Sequence, residues 1–171
     1  MRAVRLEQHR IAASGAFPNN ERLPVLIYRD AVTGAEKEAL AVRFEQTFAA
    51  NAWTASWRDV VYEQHHFHST AHEVLGCFTG RARLQLGGPT GPSCELHPGD
   101  VLVLPAGVAH RCVKRSINFR VVGAYAGGRP YDMVYGKGQQ PPSIEQAIES
   151  VPLPARDPVY GVRGPLRARW V

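Results

Sequence analysis

Three histidines and a glutamate stand in this chain at spacings that one metal ion can use: His66-Phe67-His68, then Glu73 after four intervening residues, and much later His110 behind Pro105-Ala106-Gly107. Bringing them together constrains the backbone. A strand points successive side chains to opposite faces, so His66 and His68 share one face and Phe67 takes the other. The stretch from Ser69 to His72 carries no strand signal, and a bend there lets Glu73 open the next strand beside the two histidines. His110 completes the set if Val101 to Leu104 and Ala109 to Val113 are strands of the same body, separated by the Pro105-Ala106-Gly107 turn.

The rest of the pattern agrees. From Val60 onward short apolar runs are divided by Thr79-Gly80, Gly87 to Pro92, Pro98-Gly99-Asp100 and Pro105-Ala106-Gly107, the punctuation of an antiparallel barrel or jelly roll. Between Gly80 and Gly87, Ala82, Leu84 and Leu86 alternate with Arg81, Arg83 and Gln85, which places the arginines toward water. With 171 residues and 44% hydrophobic content, the chain is long enough for one domain with its own core. Ahead of the barrel, Pro24 to Tyr28 reads as a short strand added to a sheet edge. Thr33 and Glu36 have the spacing of a capping box for a helix over 36–50, with Leu40, Phe44 and Phe48 on one face. Asn51 ends that helix, and Trp53 and Trp57, on the approach to the barrel, read as core or dimer packing. Beyond Tyr125 the chain turns rich in Gly and Pro. Ser143 with Gln146 then caps a short helix carrying Ile144, Ala147, Ile148 and Val151, and the stretch from Pro152 to Trp170 reads as an extended arm on the barrel or a partner.

At these residues the chain resembles the cupin family. The first cupin motif is matched by His66, His68, Glu73 and Gly80, and the second by Gly99, Pro105, Gly107 and His110. Val60 stands where the first motif ordinarily begins with Gly, and Lys114 where the second ends with Asn; neither is a ligand position. The run from His66 to Gly76 is similar to a narrower group of small bacterial single-barrel cupins without an assigned reaction. That likeness extends to Phe17-Pro18-Asn19-Asn20, Leu23-Pro24-Val25, Val122 to Tyr125 and Asp157 to Gly161. The resemblance implies an all-β fold, a single cupin barrel with one helix before it and a short helix after. Residues 1–58 would supply the N-terminal strand and helix, 59–126 the barrel core and 127–171 the C-terminal helix and arm.

Three imidazoles and a carboxylate suit Fe, Mn, Ni, Cu or Zn, and affinity does not choose among them. Six-coordination would leave open positions for water, dioxygen or substrate, the requirement of a catalytic rather than a closed structural site. Tyr62 and Gln64 precede His66 at even offsets, which predicts that both line the cavity, with Tyr62 the candidate proton donor. Cys77 and Cys112 fall in phase with Glu73 and His110 as further lining. His65 and His72 are out of phase, and His9 and His97 lie outside both motifs; these four read as structural. His72-Glu73 does not begin a zinc-protease motif, because Gly76 occupies the position of its second histidine. The expected function is a metal-dependent enzyme acting on a small polar molecule, dioxygenase-type oxidation first and isomerase or lyase chemistry second. The alternative is a non-catalytic cupin that binds or senses a small ligand.

The formal charge of +5 raises nucleic acid as a partner. Lys and Arg are scattered, however, with no recognition helix or stacking motif, so no nucleic-acid partner is expected. Cys77, Cys94 and Cys112 form no CxxC pair, which fits a reducing compartment. Residues 1–10 are charged throughout and lack the apolar run of a signal peptide, and no stretch is long enough to span a bilayer. The expectation is a cytoplasmic homodimer without membrane contact, pairing protecting its sheet edges.

Overall fold

The computed structural model describes residues 4–136 and 141–171; residues 1–3 of the charged N-terminal segment and 137–140 of the Gly- and Pro-rich stretch lie outside it. The alternating runs form two antiparallel sheets. The larger contains β1 (Arg5–Ile11), β2 (Asn20–Arg29), β3 (Trp53–Asp59), β4 (Glu73–Thr79), β7 (Val101–Leu104) and β9 (Arg120–Ala126), in the order β1-β2-β7-β4-β9-β3. The smaller contains β5 (Ala82–Leu86), β6 (Ser93–Leu96) and β8 (His110–Arg115), in the order β6-β5-β8. This is the double-sheet jelly roll that the turn spacing implies.

Two apolar layers explain why β2, β4, β7 and β9 read as continuous hydrophobic runs. Their inward side chains, among them Val25, Ile27, Leu75, Leu102 and Val121, pack on Leu84, Leu86 and Leu96 of the smaller sheet. Their outward ones, including Leu26, Val74, Val103 and Val122, are covered by Leu40, Phe44 and Phe48 of α1 (Lys37–Ala50) and by Leu166 and Trp170 near the C-terminus. A sheet buried on both faces has no polar side to alternate with. Gly76 lets α1 approach: a Cβ there would stand 2.6 Å from the Phe44 ring. By contrast β5 keeps one face toward solvent, with Ala82, Leu84 and Leu86 buried as the alternation requires.

Several sequence expectations need correction. The strand at Pro24 to Tyr28 is longer than expected and is not an edge; it lies between β7 and β1, and β1 comes from the charged N-terminal segment. Charge misleads there because an edge strand needs few buried side chains. Thr33 and Glu36 form no capping box. The cap position is Glu36 itself, in extended backbone without a side-chain cap, and the Thr33 carbonyl accepts instead from the Arg43 guanidinium at 2.6 Å. Likewise α2 (Pro142–Ser150) begins at a proline with Pro141 as its cap, so Ser143 falls inside the first turn and caps nothing. Its Ile148, with Val151 just beyond, packs on Phe17, Phe67, Ala106 and Ala109.

The C-terminal arm lies on its own barrel. Asp157, fully buried, accepts from the Tyr28 hydroxyl and from the backbone N–H of Val159, Tyr160 and Leu166. Trp170 donates to the Pro24 carbonyl at 2.9 Å, just beyond the short α3 (Leu166–Arg169). Among the described residues no helix is long and apolar enough to cross a membrane.

Candidate metal centre

His66 and His68 sit on an extended segment held by two isolated pairings, His66 with His110 and Phe67 with Val134. Alternation then does what the sequence requires: Phe67 turns into the apolar cluster beneath α2, and both imidazoles turn inward. The bend after His68 is fastened by Asp132, whose carboxylate accepts from the backbone N–H and hydroxyl of Ser69. Glu73 opens β4 and His110 opens β8. Gly107 makes the tight return before His110, with φ +93° and the Asn19 carbonyl 2.5 Å from where its Cβ would be. A left-handed backbone packed so closely on another chain segment admits only glycine without strain.

The four side chains are buried, none more than 5% exposed. One nitrogen from each of His66, His68 and His110 lies within 4.8 Å of the other two. Glu73 stands beside two of them, with Oε2 3.2 Å from Nε2 of His68 and 3.2 Å from Nε2 of His110. The hydrogen bonds behind the rings fix their chemistry. Nδ1 faces a backbone carbonyl in each case: Gln64 at 2.9 Å from His66, Asp132 at 2.6 Å from His68 and Val108 at 3.1 Å from His110. A carbonyl can only accept, so each neutral ring carries its proton on Nδ1 and turns an Nε2 lone pair into the cavity. Glu73 Oε2, buried among them, has no hydrogen-bond partner. Converging lone pairs around an orphaned carboxylate oxygen form a donor set that fits a divalent transition ion.

Electrostatics agrees. Burial, with the neighbouring His110, pushes His66 down to about 3, which keeps it in the neutral ligand form. Burial alone would depress His68 too, but the Glu73 carboxylate overrides it and raises that imidazole. Burial would raise Glu73, yet His68 and His110 hold it well below the usual carboxylate range. Because the ligand form of each imidazole is the neutral one, protons and metal compete for the same lone pairs.

Around the four residues is a cavity of about 230 Å³, whose wall includes Trp57, Leu75, Tyr125, Tyr131 and Met133. Tyr62 is at its rim, 52% exposed, with its ring 5.5 Å from that of His66. The Gln64 side chain is exposed and does not line the cavity; its carbonyl serves the site by orienting His66. Cys77 follows Leu75 on the inward face of β4 but lies deeper in the core, where its thiol donates to the Thr79 and Gly80 carbonyls and burial pushes it up to about 12. Cys112 is buried in the same core, its thiol raised by burial, and does not line the cavity either. Both obey strand phase, yet neither borders the cavity. His72 accepts from the Ala106 N–H at 2.8 Å and packs on Trp170, a structural role.

Sequence reasoning did not find Trp57, Tyr125, Tyr131 or Asp132. Strand phase offered one of them: Tyr125 is the ladder partner of Glu73 on β9, and Val121, Gly123 and Tyr125 alternate inward.

Comparison with known proteins places the chain in a family. Residues 59–118 match the cupin domain. The uncharacterized protein YjlB of Bacillus subtilis (strain 168) is 38% identical over 157 residues, 92% of each chain. The chain is a cupin. Among solved structures, this cupin is similar to the 11S allergen of Cocos nucifera, with 24% identity, a TM-score of 0.38 and coverage of 47% of this chain and 24% of the allergen. It is also similar to the DMSP lyase DddQ of Ruegeria pomeroyi DSS-3, with 18% identity, a TM-score of 0.36 and coverage of 80% and 54%. HEPD of Streptomyces albus, solved with 2-hydroxyethylphosphonate and Fe(II), is 13% identical with a TM-score of 0.32, over 88% of this chain and 25% of that one. The cupin thus spans about a quarter of the length of the 11S allergen it matches.

Proposed function

We propose that this cupin is a metal-dependent enzyme acting on a small polar molecule, with His66, His68, Glu73 and His110 holding one divalent transition ion. The observation that carries the reading is the set of Nδ1 hydrogen bonds to backbone carbonyls, which commits all three Nε2 lone pairs to one point beside an unpartnered carboxylate oxygen. A bound ion would supply Lewis acidity and, where redox-active, electrons for dioxygen. The chain supplies the rest. His66, His68, Glu73 and His110 all border the cavity, which would leave room beside the ion for a substrate, and apolar Leu75 and Val61 in its wall restrict water there. Oxidation of the substrate by dioxygen is the first reaction to test. Isomerase or lyase chemistry is the second, favoured by the buried phenol of Tyr125 in the cavity wall, a protic group such reactions need.

Metal analysis of protein purified without an affinity tag, followed by oxygen uptake with catechols, enediols, thiols and β-diketones, tests the order of these reactions. Iron content with uptake on one class supports oxidation; zinc content with no uptake rejects it in favour of the second chemistry. We place the protein in the cytoplasm, because its three cysteines are buried and unpaired, and as a homodimer, because β1 and β3 are sheet edges rich in exposed residues.

A further inference from the structure

The approach of Trp57 to the cavity depends on an irregularity in β3. Thr54 pairs with Tyr125 and Trp57 with Gly123, so three steps on β3 match two on β9, and Ala55 within this bulge has φ +56°. In a regular strand Trp53 and Trp57 would share a face. The bulge turns the second one over: Trp53 is buried in the outer layer, whereas Trp57 packs on the inner core and lines the metal cavity. Gly123 leaves the room, since a Cβ there would stand 2.2 Å from the indole.

So placed, the indole N–H donates to the Tyr125 hydroxyl oxygen at 3.0 Å. Tyr125 is 2% exposed and stacks on Tyr131, ring centroids 4.6 Å apart at 16°. An indole N–H can only donate, so the phenol oxygen must accept; the phenol's own proton is then directed to the cavity side, where its ladder partner Glu73 is also within reach.

We propose that Tyr125, oriented by Trp57, donates a hydrogen bond to an anionic oxygen atom bound at the open side of the three-histidine site, so that the site selects small ligands coordinating through a carboxylate, enolate or similar oxyanion. The inference rests on the metal-binding reading above. A fixed donor in a water-poor cavity costs no reorganisation when negative charge arrives, which gives such a contact its strength, and the N–H to O–H chain polarises the final donor further. Tyr125 thereby takes the role that strand phase offered to Tyr62.

Cobalt(II)-loaded protein tests the assignment, with visible absorption following titration by acetate and, separately, by imidazole. Acetate keeps free lone pairs on its anionic oxygens once coordinated. Imidazole is neutral and spends its one available lone pair on the metal. Tyr125→Phe keeps the ring and its stacking, and is expected to weaken acetate about tenfold while imidazole stays within about twofold. Trp57→Phe should weaken acetate by a smaller factor, because the phenol remains but loses its orientation. Unchanged acetate binding in Tyr125→Phe, equal weakening of both ligands, or loss of cobalt from that variant would each overturn the assignment; the last would make Tyr125 a support for Glu73. Wild-type protein that takes up no cobalt overturns the metal reading itself, and is recognised before any ligand is added.

Discussion

At the scale of single residues, the proposed metal site depends on which nitrogen of each histidine carries the proton, and the backbone carbonyls of Gln64, Val108 and Asp132 decide it. Replacing His66, His68 or His110 by Ala should therefore abolish retention of a divalent ion through gel filtration, while Glu73→Gln, which keeps the shape but not the charge, should weaken it by about tenfold or more. Retention at wild-type stoichiometry by two of the histidine variants would contradict this. His72 offers a second, independent prediction. Burial holds it down to about 4, against about 6.5 for a histidine in an unfolded chain. The unfolded state then takes up the proton first on acidification, so this stabilisation is complete above pH ~6.5 and falls away as the pH drops toward ~4. The size of the effect is roughly 3 kcal/mol. Thermal melting of chelator-treated protein should decline over that range, and His72→Gln, which can still accept from Ala106, should decline less; an identical slope in both would refute the assignment. The four proposed ligands were legible because their spacing is local and strand alternation is strict. Asp132 was not, because it acts from an irregular Gly- and Pro-rich stretch where no period fixes direction.

At the scale of elements, what matters is how β3, β4 and β9 are faced. Glu73, Leu75 and Cys77 follow one another inward along β4, and the layer in which each sits decides whether it joins the histidine cluster, lines the cavity or fills the core. Phase was legible and position along the strand relative to the cavity was not, which is why Cys77 and Cys112 were expected in its wall and lie outside it. The bulge at Ala55 was equally hidden, since no residue in Trp53-Thr54-Ala55-Ser56-Trp57 announces a left-handed turn. On the opposite face, α1 depends on the absence of a side chain at position 76. Gly76→Ala should cost about 1–3 kcal/mol through overpacking against Phe44, measured by urea denaturation, and should leave metal stoichiometry unchanged because the Cβ points away from the cavity. Wild-type stability in that variant would show that α1 is not seated as described.

For the whole molecule, the sequence read clearly as one jelly roll because turn residues recur at regular intervals, while the edges of that jelly roll were misread because strand β1 is charged. Those edges carry the expectation of assembly: sedimentation should give a dimer at micromolar concentration, and a monomer under those conditions would contradict it. The barrel strands and the segment carrying Tyr131 and Met133 wall the same cavity, and what that cavity binds is the central question. X-ray absorption at the metal edge of protein reconstituted with a single equivalent of Fe(II) or Co(II) tests this most directly. The expected spectrum shows one ion per chain with imidazole scattering from His66, His68 and His110, light-atom ligands in the remaining positions and no sulfur. Unbound metal, or a first coordination sphere containing thiolate and lacking imidazole, would contradict it.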